Sequence, residues 1–397
     1  MTQVNRLDGG LIDRSAPLSF TFDGRRLDGF AGDTLASALL ANGVRLVGRS
    51  FKYHRPRGII AAGSEEPNAL VELREGARRE PNSRATMTEL FDGLTARSQN
   101  RFPSLGFDLM AVNDRLSAFF GAGFYYKTFM WPKAFWERVY EPLIRHAAGL
   151  GALSGEADPD VYDRGFLHCD LLVIGGGPAG LMAALTAGRA GARVILVDED
   201  FRPGGRLTME RETIGGQSGA DWAETVAGEL SAMPNVRLMA RSTAIGAFDH
   251  GIHGVLERVS DHLPSAAEGT PRQILWRVYA RRTVLAAGAT ERLIAFDSND
   301  RPGIMQAGAV RAYVNRWAAA PADRIAVFTN NDDGHRTAAD LVAAGVDVTA
   351  IIDSRPDAPD SDVAELFAGA VVTGSSGRRG LGHVTVRRAD GSRKHLD

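Results

Sequence analysis

The spacing of three glycines gives the strongest chemical signal in the sequence. Gly175, Gly177 and Gly180 fill the pattern G-x-G-x-x-G, with Pro178 and Ala179 between the last two. The first glycine permits a tight turn, the second lets backbone approach a pyrophosphate, and the third lets a helix pack on a strand. Unpaired N–H groups at the start of that helix would face the phosphate oxygens. The pattern therefore predicts a dinucleotide site.

The segments around the glycines have the order that such a site needs. Residues 171–174 are an apolar run without alternation, which predicts a strand buried on both faces. The small residues of 179–190 predict a helix, and 193–197 predict a second buried strand that ends at Asp198. A carboxylate there would accept hydrogen bonds from an adenosine ribose and repel a 2′-phosphate, which favours NAD or FAD over NADP. NAD and FAD share an ADP moiety, so the motif leaves both open, and a glycine-rich turn without a ligand is the alternative.

Four further positions are candidates for the same site. Gly205 and Arg206 follow the acidic strand end, where backbone and a cation could approach the pyrophosphate. Ile245 follows a strand predicted at 236–240, and we expect it where main chain passes beside the adenine. Gly288 lies in a segment that resembles the second dinucleotide segment of glutathione-reductase-type folds. A buried strand end with a turn glycine is the alternative interpretation of that segment.

A second α/β stretch, residues 323–372, lacks the glycine pattern. Its first strand precedes a helix predicted at 336–344 and a strand predicted at 346–352. Asp332 and Asp333 would place negative charge where phosphates should lie. We therefore expect one bound dinucleotide in this chain, with the second unit as a scaffold.

Composition excludes several classes of protein. The 397 residues carry 46 basic and 48 acidic side chains, a balance that argues against nucleic-acid binding. The single cysteine, Cys169, rules out an internal disulfide framework and a four-thiolate metal site. The histidines are scattered and no nucleophile–base set stands out, so neither a metal site nor a catalytic residue is predicted. The longest uncharged stretch, 171–188, is broken by glycines and a proline, and no signal-peptide pattern is present, so we expect a cytoplasmic protein without a membrane span.

Changes of composition along the chain predict three parts. The small first domain contains a hairpin at 18–30 and a helix at 35–41 that Asp33 or Thr34 could cap. The second Rossmann-like unit at 323–372 belongs to the last part, which we expect to be incomplete at its C-terminal end. The predicted boundaries are 1–98 for a small α+β domain, 99–168 for an aromatic-rich connector, and 169–397 for an α/β dinucleotide-binding domain.

The connector is dense in aromatic residues. Its side chains either pack on the neighbouring domains or form a contact surface for another subunit, and both interpretations stay open. Residues 75–86 are predicted as a surface loop and 154–165 as a linker. The aromatic residues of the connector are Phe119, Phe120, Phe124, Tyr125, Tyr126, Phe129, Trp131, Phe135, Trp136 and Tyr140.

Taken together, several segments make the chain resemble the α subunit of heterotetrameric sarcosine oxidase, over nearly its whole length. The glycine turn is one of them. The others are GRSFKYHRPRG at 48–58, EEPNALVEL at 65–73, GFYYKTFMWP at 123–132, and AGATERL with NDRPGIM within 287–305.

The resemblance implies a fold and a set of ligand contacts. The first part would be a ferredoxin-like β-grasp domain, followed by a glutathione-reductase-type FAD/NAD(P)-binding Rossmann fold. The family binds NAD in the large domain. Because the loop 58–68 lacks the cysteines that cluster-bearing relatives supply, no iron–sulfur cluster is expected. Carried over by position, the nucleotide contacts fall at Ala179, Asp198, Glu199, Asp200, Arg206 and Ile245.

The resemblance also implies partners. In the family, FAD and the site of amine oxidation lie in a β subunit, FMN lies between the α and β subunits, and small γ and δ subunits complete the complex. Sarcosine is demethylated to glycine, with tetrahydrofolate as the one-carbon acceptor in a C-terminal α domain that this sequence lacks. We therefore expect this chain alone to be inactive, as part of an oxidoreductase acting on CH–NH donors. The alternatives are an FAD-binding subunit of an opine, proline or cyanide-forming dehydrogenase complex, and a scaffold that has lost its ligand.

Overall fold

A five-stranded sheet packed on one short helix forms the N-terminal domain of the computed structural model, which describes residues 3–119, 121, 123, 129–149 and 151–397. Its elements are β1 (Asp13–Phe22), β2 (Arg25–Ala31), α1 (Leu35–Ala41), β3 (Gly48–Arg49), β4 (Pro56–Arg57), β5 (Leu70–Leu73), β6 (Glu80–Arg84) and β7 (Leu94–Ser98). The sheet order is β2-β1-β7-β5-β6, with β1 and β7 parallel and the other pairs antiparallel. Strands β3 and β4 form a separate two-stranded ribbon.

Local sequence accounts for most of these elements. The predicted hairpin is confirmed, since Asp23 and Gly24 both have positive φ, as the tight turn between β1 and β2 requires. The predicted helix at 35–41 is confirmed as well. Its cap is Thr34, whose hydroxyl accepts from the Ser37 N–H at 3.2 Å while the Ser37 hydroxyl accepts from the Thr34 N–H at 2.9 Å. The prediction of a loop at 75–86 is wrong in its second half, because β6 pairs there with β5.

A buried ion pair ties the first residues of the chain to both domains. The Arg6 guanidinium donates to both carboxylate oxygens of Asp33, at 3.1 and 2.7 Å. Asp33 also accepts from the Phe30 N–H at 3.0 Å and the Ser37 hydroxyl at 2.7 Å. Arg6 donates in addition to the backbone carbonyl of Trp317, in the large domain, at 2.6 Å. The pair therefore has the extra hydrogen bonds that a buried carboxylate needs.

The described part of the connector exposes much of its apolar surface. It contains two short α-helices, α2 (Val112–Arg115) and α3 (Glu141–Ala148). The side chains of Phe119 and Trp131 are 80% and 83% exposed, and Phe135 is also exposed. Phe120, Phe124, Tyr125 and Tyr126, which include part of the motif at 123–132, lie outside the described residues.

A six-stranded sheet forms the centre of the large domain. Its elements are β8 (Tyr162–Ile174), α4 (Pro178–Arg189), β9 (Val194–Val197), α5 (Gly219–Ala232), β12 (Val236–Met239), β13 (Ser242–Phe248), β14 (Ile252–Arg258) and β15 (Gln273–Leu285), with a small hairpin of β10 (Thr213–Ile214) and β11 (Gln217–Ser218). The order is β12-β9-β8-β15-β14-β13, in which the first four strands are parallel and the last two antiparallel.

The parallel strands of this sheet are buried on both faces. Val173 and Leu196 pack with the helices α4 and α5, whereas Leu172 and Ile195 pack with β14 and β15 on the other face. This explains the continuous apolar runs in the sequence. The predicted linker at 154–165 is wrong at its end, because β8 begins at Tyr162. Strand β15 is as long as β8 and pairs with it along nearly its whole length.

The second α/β unit is a smaller parallel sheet followed by an antiparallel meander. Its elements are α6 (Ala307–Trp317), β16 (Arg324–Thr329), α7 (Asp332–Ala343), β17 (Asp347–Asp353), β18 (Glu365–Ala368), β19 (Val371–Ser376), β20 (His383–Arg387) and β21 (Arg393–Leu396). The parallel order is β16-β17-β18, and the meander order is β19-β20-β21. Helix α7 begins four residues earlier than predicted, because the Asn331 side chain caps it by accepting from the Asp333 N–H at 3.0 Å. None of the helices in the described ranges is long and apolar enough to cross a membrane.

We expect Asp33→Ala to lower the free energy of unfolding by about 3 kcal/mol, because it leaves the Arg6 guanidinium buried without its counter-ion. Chemical denaturation followed by circular dichroism measures the change. Asp13→Ala is the matched control in the same domain, since the Asp13 carboxylate is exposed and bonds to Ser15. Equal stability of the two variants would contradict a stabilising role for the buried pair.

Candidate nucleotide-binding site

The glycine turn brings three pieces of backbone into close contact. Gly175 has φ +105°, and a Cβ on it would lie 2.4 Å from the Ala286 carbonyl oxygen. A Cβ on Gly180 would lie 1.8 Å from the Gly175 carbonyl oxygen. A Cβ on Gly177 would meet no protein atom within 4 Å, so this glycine borders open space. The turn therefore has the tight bend, the close helix–strand contact and the open side that the motif predicted.

Helix α4 presents its N-terminus to that open space. Gly177 is the N-cap and Pro178 the first helical residue. The Leu181 N–H donates to the Gly177 carbonyl at 2.9 Å, which is the first bond within the helix. The N–H groups of Ala179 and Gly180 precede this bond and lie at the positive end of the helix dipole. This arrangement suits an anionic group such as a pyrophosphate.

Asp198 lies at the end of β9, beside the turn. Its carboxylate accepts from the Asp200 N–H at 2.7 Å and from the Gly176 N–H. Burial raises the pKa of Asp198 to about 6, although the two backbone hydrogen bonds act to lower it. Because the pKa in the folded chain lies above the ordinary 3.8, the stability that Asp198 contributes is present at low pH and is lost as the pH rises through about 6.

The two acidic residues after Asp198 have partners within the protein. The Arg316 guanidinium donates to both carboxylate oxygens of Asp200, one of them at 2.8 Å. Burial acts to raise the pKa of Asp200, but Arg316 holds it below its ordinary value. Glu199 accepts from the Ser64 hydroxyl at 2.8 Å, across the boundary with the N-terminal domain. In this structure the Asp200 side chain therefore forms an ion pair with Arg316.

The glycine loop that follows lies directly against the turn. The Gly204 N–H donates to the Gly176 carbonyl at 2.8 Å, and a Cβ on Gly205 would lie 3.1 Å from the Gly177 Cα. The position of Gly205 thus fits the predicted site. The Arg206 guanidinium instead pairs with Glu210 and, at 3.0 Å, with Asp333 of the second unit.

The acidic residues of the second unit are neutralised by arginines. Asp333 accepts from Arg206 and lies 3.3 Å from an Arg311 nitrogen, and Asp332 lies 2.8 Å from an Arg355 nitrogen. Both aspartates lie in the first turn of α7, where the helix dipole also favours negative charge. This helix end is therefore occupied by the protein's own carboxylates.

Gly288 and Ile245, the last two predicted site residues, lie in different parts of the large domain. Residues 286–288 lie beside the turn, since the Ala286 N–H donates to the Ile174 carbonyl at 2.8 Å, and Gly288 follows with φ +69°. Ile245 lies in the middle of β13 with its side chain 57% exposed.

Arg241 and Ser242, whose backbone lies beside the end of β9, were not identified from the sequence. The Ser242 N–H donates to the Asp198 carbonyl at 2.7 Å, and the Arg241 N–H donates to the Asp200 carbonyl at 2.9 Å. The sequence could have indicated them, because they follow shortly after β12. The chain that leaves one parallel strand passes the carboxyl end of the neighbouring strand, which here is β9.

Cys169 is a residue of β8 and packs on the face of the sheet that also carries Val255 and Val278. Its thiol is buried, and burial raises its pKa to about 11, so the reactive thiolate is disfavoured. Within the described residues, no group of three or more His, Cys, Asp or Glu side chains could hold a metal ion.

Comparison with known families defines the class of protein. Residues 15–101 match a 2Fe-2S iron-sulfur cluster binding domain, and residues 170–268 match an FAD dependent oxidoreductase domain. A solved structure of L-proline dehydrogenase from P. horikoshii aligns with all of this chain and 61% of its own, with a TM-score of 0.63 and 19% identity. The predicted fold is confirmed: a ferredoxin-like domain precedes an FAD/NAD(P)-binding oxidoreductase fold.

The relatives confirm the predicted resemblance to sarcosine oxidase α subunits. The chain is 58% identical, over 95% of its length, to the sarcosine oxidase α subunit of Rhizobium meliloti (strain 1021). It is 30% identical, over 47% of its length, to an opine oxidase subunit of Agrobacterium tumefaciens (strain Ach5). The chain spans 38% of the first relative and 37% of the second.

One cofactor prediction is wrong. The expectation of no iron–sulfur cluster is overturned by the match of residues 15–101 to a 2Fe-2S cluster binding domain. The prediction was based on the absence of cysteines from the loop. The match to the cluster-binding family extends over the whole domain and does not depend on those residues. Residues 15–101 nevertheless contain no cysteine, so they do not offer the thiolate ligands that such clusters use.

We expect Gly180→Ala to lower the free energy of unfolding by about 3 kcal/mol and to abolish nucleotide retention, because the new Cβ would overlap the Gly175 carbonyl. Thermal unfolding and analysis of released nucleotide measure both effects. The matched control is Gly228→Ala in α5, where a Cβ meets nothing within 4 Å. That variant should be unchanged or more stable by up to about 1 kcal/mol. If Gly180→Ala is as stable as the unsubstituted chain, the close contact with the Gly175 carbonyl is not the reason for a glycine at this position.

Proposed function

We propose that this chain is the nucleotide-binding part of the α subunit of a sarcosine-oxidase-type complex and that it binds NAD. The observation that carries the proposal is the glycine turn, in which an open helix N-terminus lies beside the Asp198 carboxylate. Similarity to a sarcosine oxidase α subunit over 95% of the chain supports the assignment. Because the chain spans only 38% of that relative, the activity and substrates of the whole complex are part of the proposal.

The residues of the chain would bind the ADP half of the dinucleotide. The N–H groups of Ala179 and Gly180 would donate to the pyrophosphate, and the open side of Gly177 lets it approach. Gly205 would bring a second stretch of backbone to the same phosphates. The Asp198 carboxylate would accept from the ribose hydroxyls, which requires its ionised form.

The rest of the reaction would belong to the complex. We propose that sarcosine is demethylated to glycine at a flavin held by a β subunit, with FMN between the subunits and tetrahydrofolate as the one-carbon acceptor. Small γ and δ subunits would complete the assembly. The name of the relative, which describes it as one subunit of an oxidase, supports the existence of partner subunits. With no catalytic residue assigned to it, this chain alone is expected not to oxidise an amine.

The alternative ligand is FAD. The match of residues 170–268 to an FAD dependent oxidoreductase domain favours it, and FAD offers the same ADP moiety to the turn. In that case this chain would be the FAD-binding subunit of an amine or amino-acid dehydrogenase complex. The similarity to the opine oxidase subunit supports this alternative over the 192 aligned residues.

The two ligands are distinguished by the colour of the purified chain. We expect no flavin absorbance between roughly 300 and 500 nm, and we expect NAD in the supernatant after heat denaturation, because the nicotinamide ring of NAD carries no flavin chromophore. Chromatography against NAD and FAD standards identifies the nucleotide. Stoichiometric FAD would overturn the first proposal in favour of the second. A chain that neither retains nor takes up either nucleotide would overturn both.

We expect Asp198→Ala to weaken nucleotide binding by roughly 1–3 kcal/mol through loss of the ribose hydrogen bonds. Binding to the unsubstituted chain should also weaken as the pH falls through about 6, because protonation removes the negative charge of the carboxylate and makes one of its two acceptor oxygens a donor. Isothermal titration at several pH values measures both effects. Asp170→Ala, which removes the partly buried partner of the exposed Arg193, is the control and should bind normally. Unchanged affinity in a folded Asp198→Ala chain would exclude this residue from the site.

A further inference from the structure

The carboxylate of Glu66 lies at the centre of the loop 58–69 of the N-terminal domain. One of its oxygens accepts from the N–H groups of Ile60 and Ala61, at 2.8 and 2.7 Å. The other accepts from those of Asn68 and Ala69, at 2.7 and 3.0 Å. Glu66 is 1% exposed. Four backbone donors thus converge on one buried anion and fill the acceptor positions that a carboxylate offers.

Contacts from outside also hold this loop in place. The Tyr313 hydroxyl donates to the Ala61 carbonyl at 2.9 Å, and the Thr86 hydroxyl donates to the Gly63 carbonyl at 2.8 Å. The N–H groups of Gln306 and Ala85 donate to loop carbonyls, each at 2.9 Å. Burial, together with the charge of Glu66, raises the pKa of Tyr313, which keeps its hydroxyl a donor. The loop is therefore built into the domain at both ends as well as around Glu66.

Three buried residues of the loop have the spacing of a cluster-binding loop. Ala61, Glu66 and Ala69 are separated by four and by two residues, as are the first three ligands of plant-type 2Fe–2S ferredoxins, in the pattern C-x₄-C-x₂-C. The fourth ligand of that pattern comes from farther along the chain. Thr86 is buried and is held against the loop through its own side chain, so it is the candidate for the fourth position.

We propose that the loop 58–69 retains the backbone cradle of a 2Fe–2S site, with Ala61, Glu66, Ala69 and Thr86 at the four ligand positions. In iron–sulfur proteins, backbone N–H groups of such loops donate to the sulfur atoms of an anionic cluster. Here the Glu66 carboxylate supplies the negative charge on which the loop's N–H groups converge. The family match covers residues 15–101, which include this loop, and the hydrogen bonds of Glu66 are a separate observation made within it. The proposal does not depend on the identity of the bound nucleotide.

The cradle is tested by supplying its ligands. The variant A61C/E66C/A69C/T86C is treated with ferric iron and sulfide under oxygen-free conditions, which supplies the diferric state of the cluster, and is then desalted. We expect stoichiometric iron and sulfide, visible thiolate-to-iron absorbance, and an electron paramagnetic resonance signal after one-electron reduction. The matched control, A62C/E66C/A69C/T86C, has the same number of cysteines but breaks the first spacing, and it should retain at least tenfold less cluster. A folded variant that holds no more iron than this control would overturn the proposal.

A second pair of variants tests the role of Glu66 without added cysteines. In Glu66→Gln, an amide NH₂ replaces an acceptor and faces two backbone donors, so we expect a clear fall in the unfolding temperature and faster hydrogen exchange at residues 60, 61, 68 and 69. Glu65→Gln removes the same charge from the neighbouring residue and should change neither. If Glu66→Gln exchanges at these amides no faster than Glu65→Gln, the carboxylate does not organise the loop, and the proposal fails whether or not the cysteine variant folds.

Discussion

The close approach of three backbone segments at the glycine turn is the constraint on which the rest of the large domain depends. The end of β8, the start of α4 and the chain after β15 meet where no Cβ fits on Gly175 or Gly180. This contact aims the N-terminus of α4 at the open side of Gly177. It also fixes the register of β8 against β15, because residues 286–288 continue from a strand that pairs with β8 along its length. The site is therefore a consequence of packing that tolerates only glycine at two positions.

Asp198 differs from the other acidic residues around this turn in its hydrogen-bond partners. Asp200 is matched by the buried Arg316, and the aspartates at the start of α7 are matched by Arg206, Arg311 and Arg355. Asp198 has backbone N–H partners and a raised pKa, which is the state of a carboxylate that a ligand can stabilise. The second unit is joined to the first through the ion pair of Asp333 with Arg206.

Ion pairs also hold the N-terminal domain against the large one. Arg6 reaches both Asp33 and Trp317, and Arg241 pairs with Glu89 through two hydrogen bonds of 2.7 Å. The loop around Glu66 belongs to the same boundary, since Tyr313 and Ser64 connect it to α6 and to Glu199. Glu199, which lies just after the end of β9, is thus contacted directly from the ferredoxin-like domain.

The sequence by itself determined the elements whose signals are local: the hairpin of β1 and β2, the capped helix α1, and the strand–turn–helix at Gly175–Gly180. Each depends on backbone conformation, capping or burial within about thirty residues, and each is visible in residue type and spacing. Only the tertiary structure decided the partners of Asp200 and Arg206, the placement of residues 241 and 242 beside Asp198, and the convergence of four N–H groups on Glu66. Those features join residues that are distant in sequence or fold back through a loop, and the electrostatic partner of a side chain cannot be read from spacing when several charges compete for it. The physical reason is that ion pairs and buried carboxylates are selected by the packing of whole elements, which no single segment specifies.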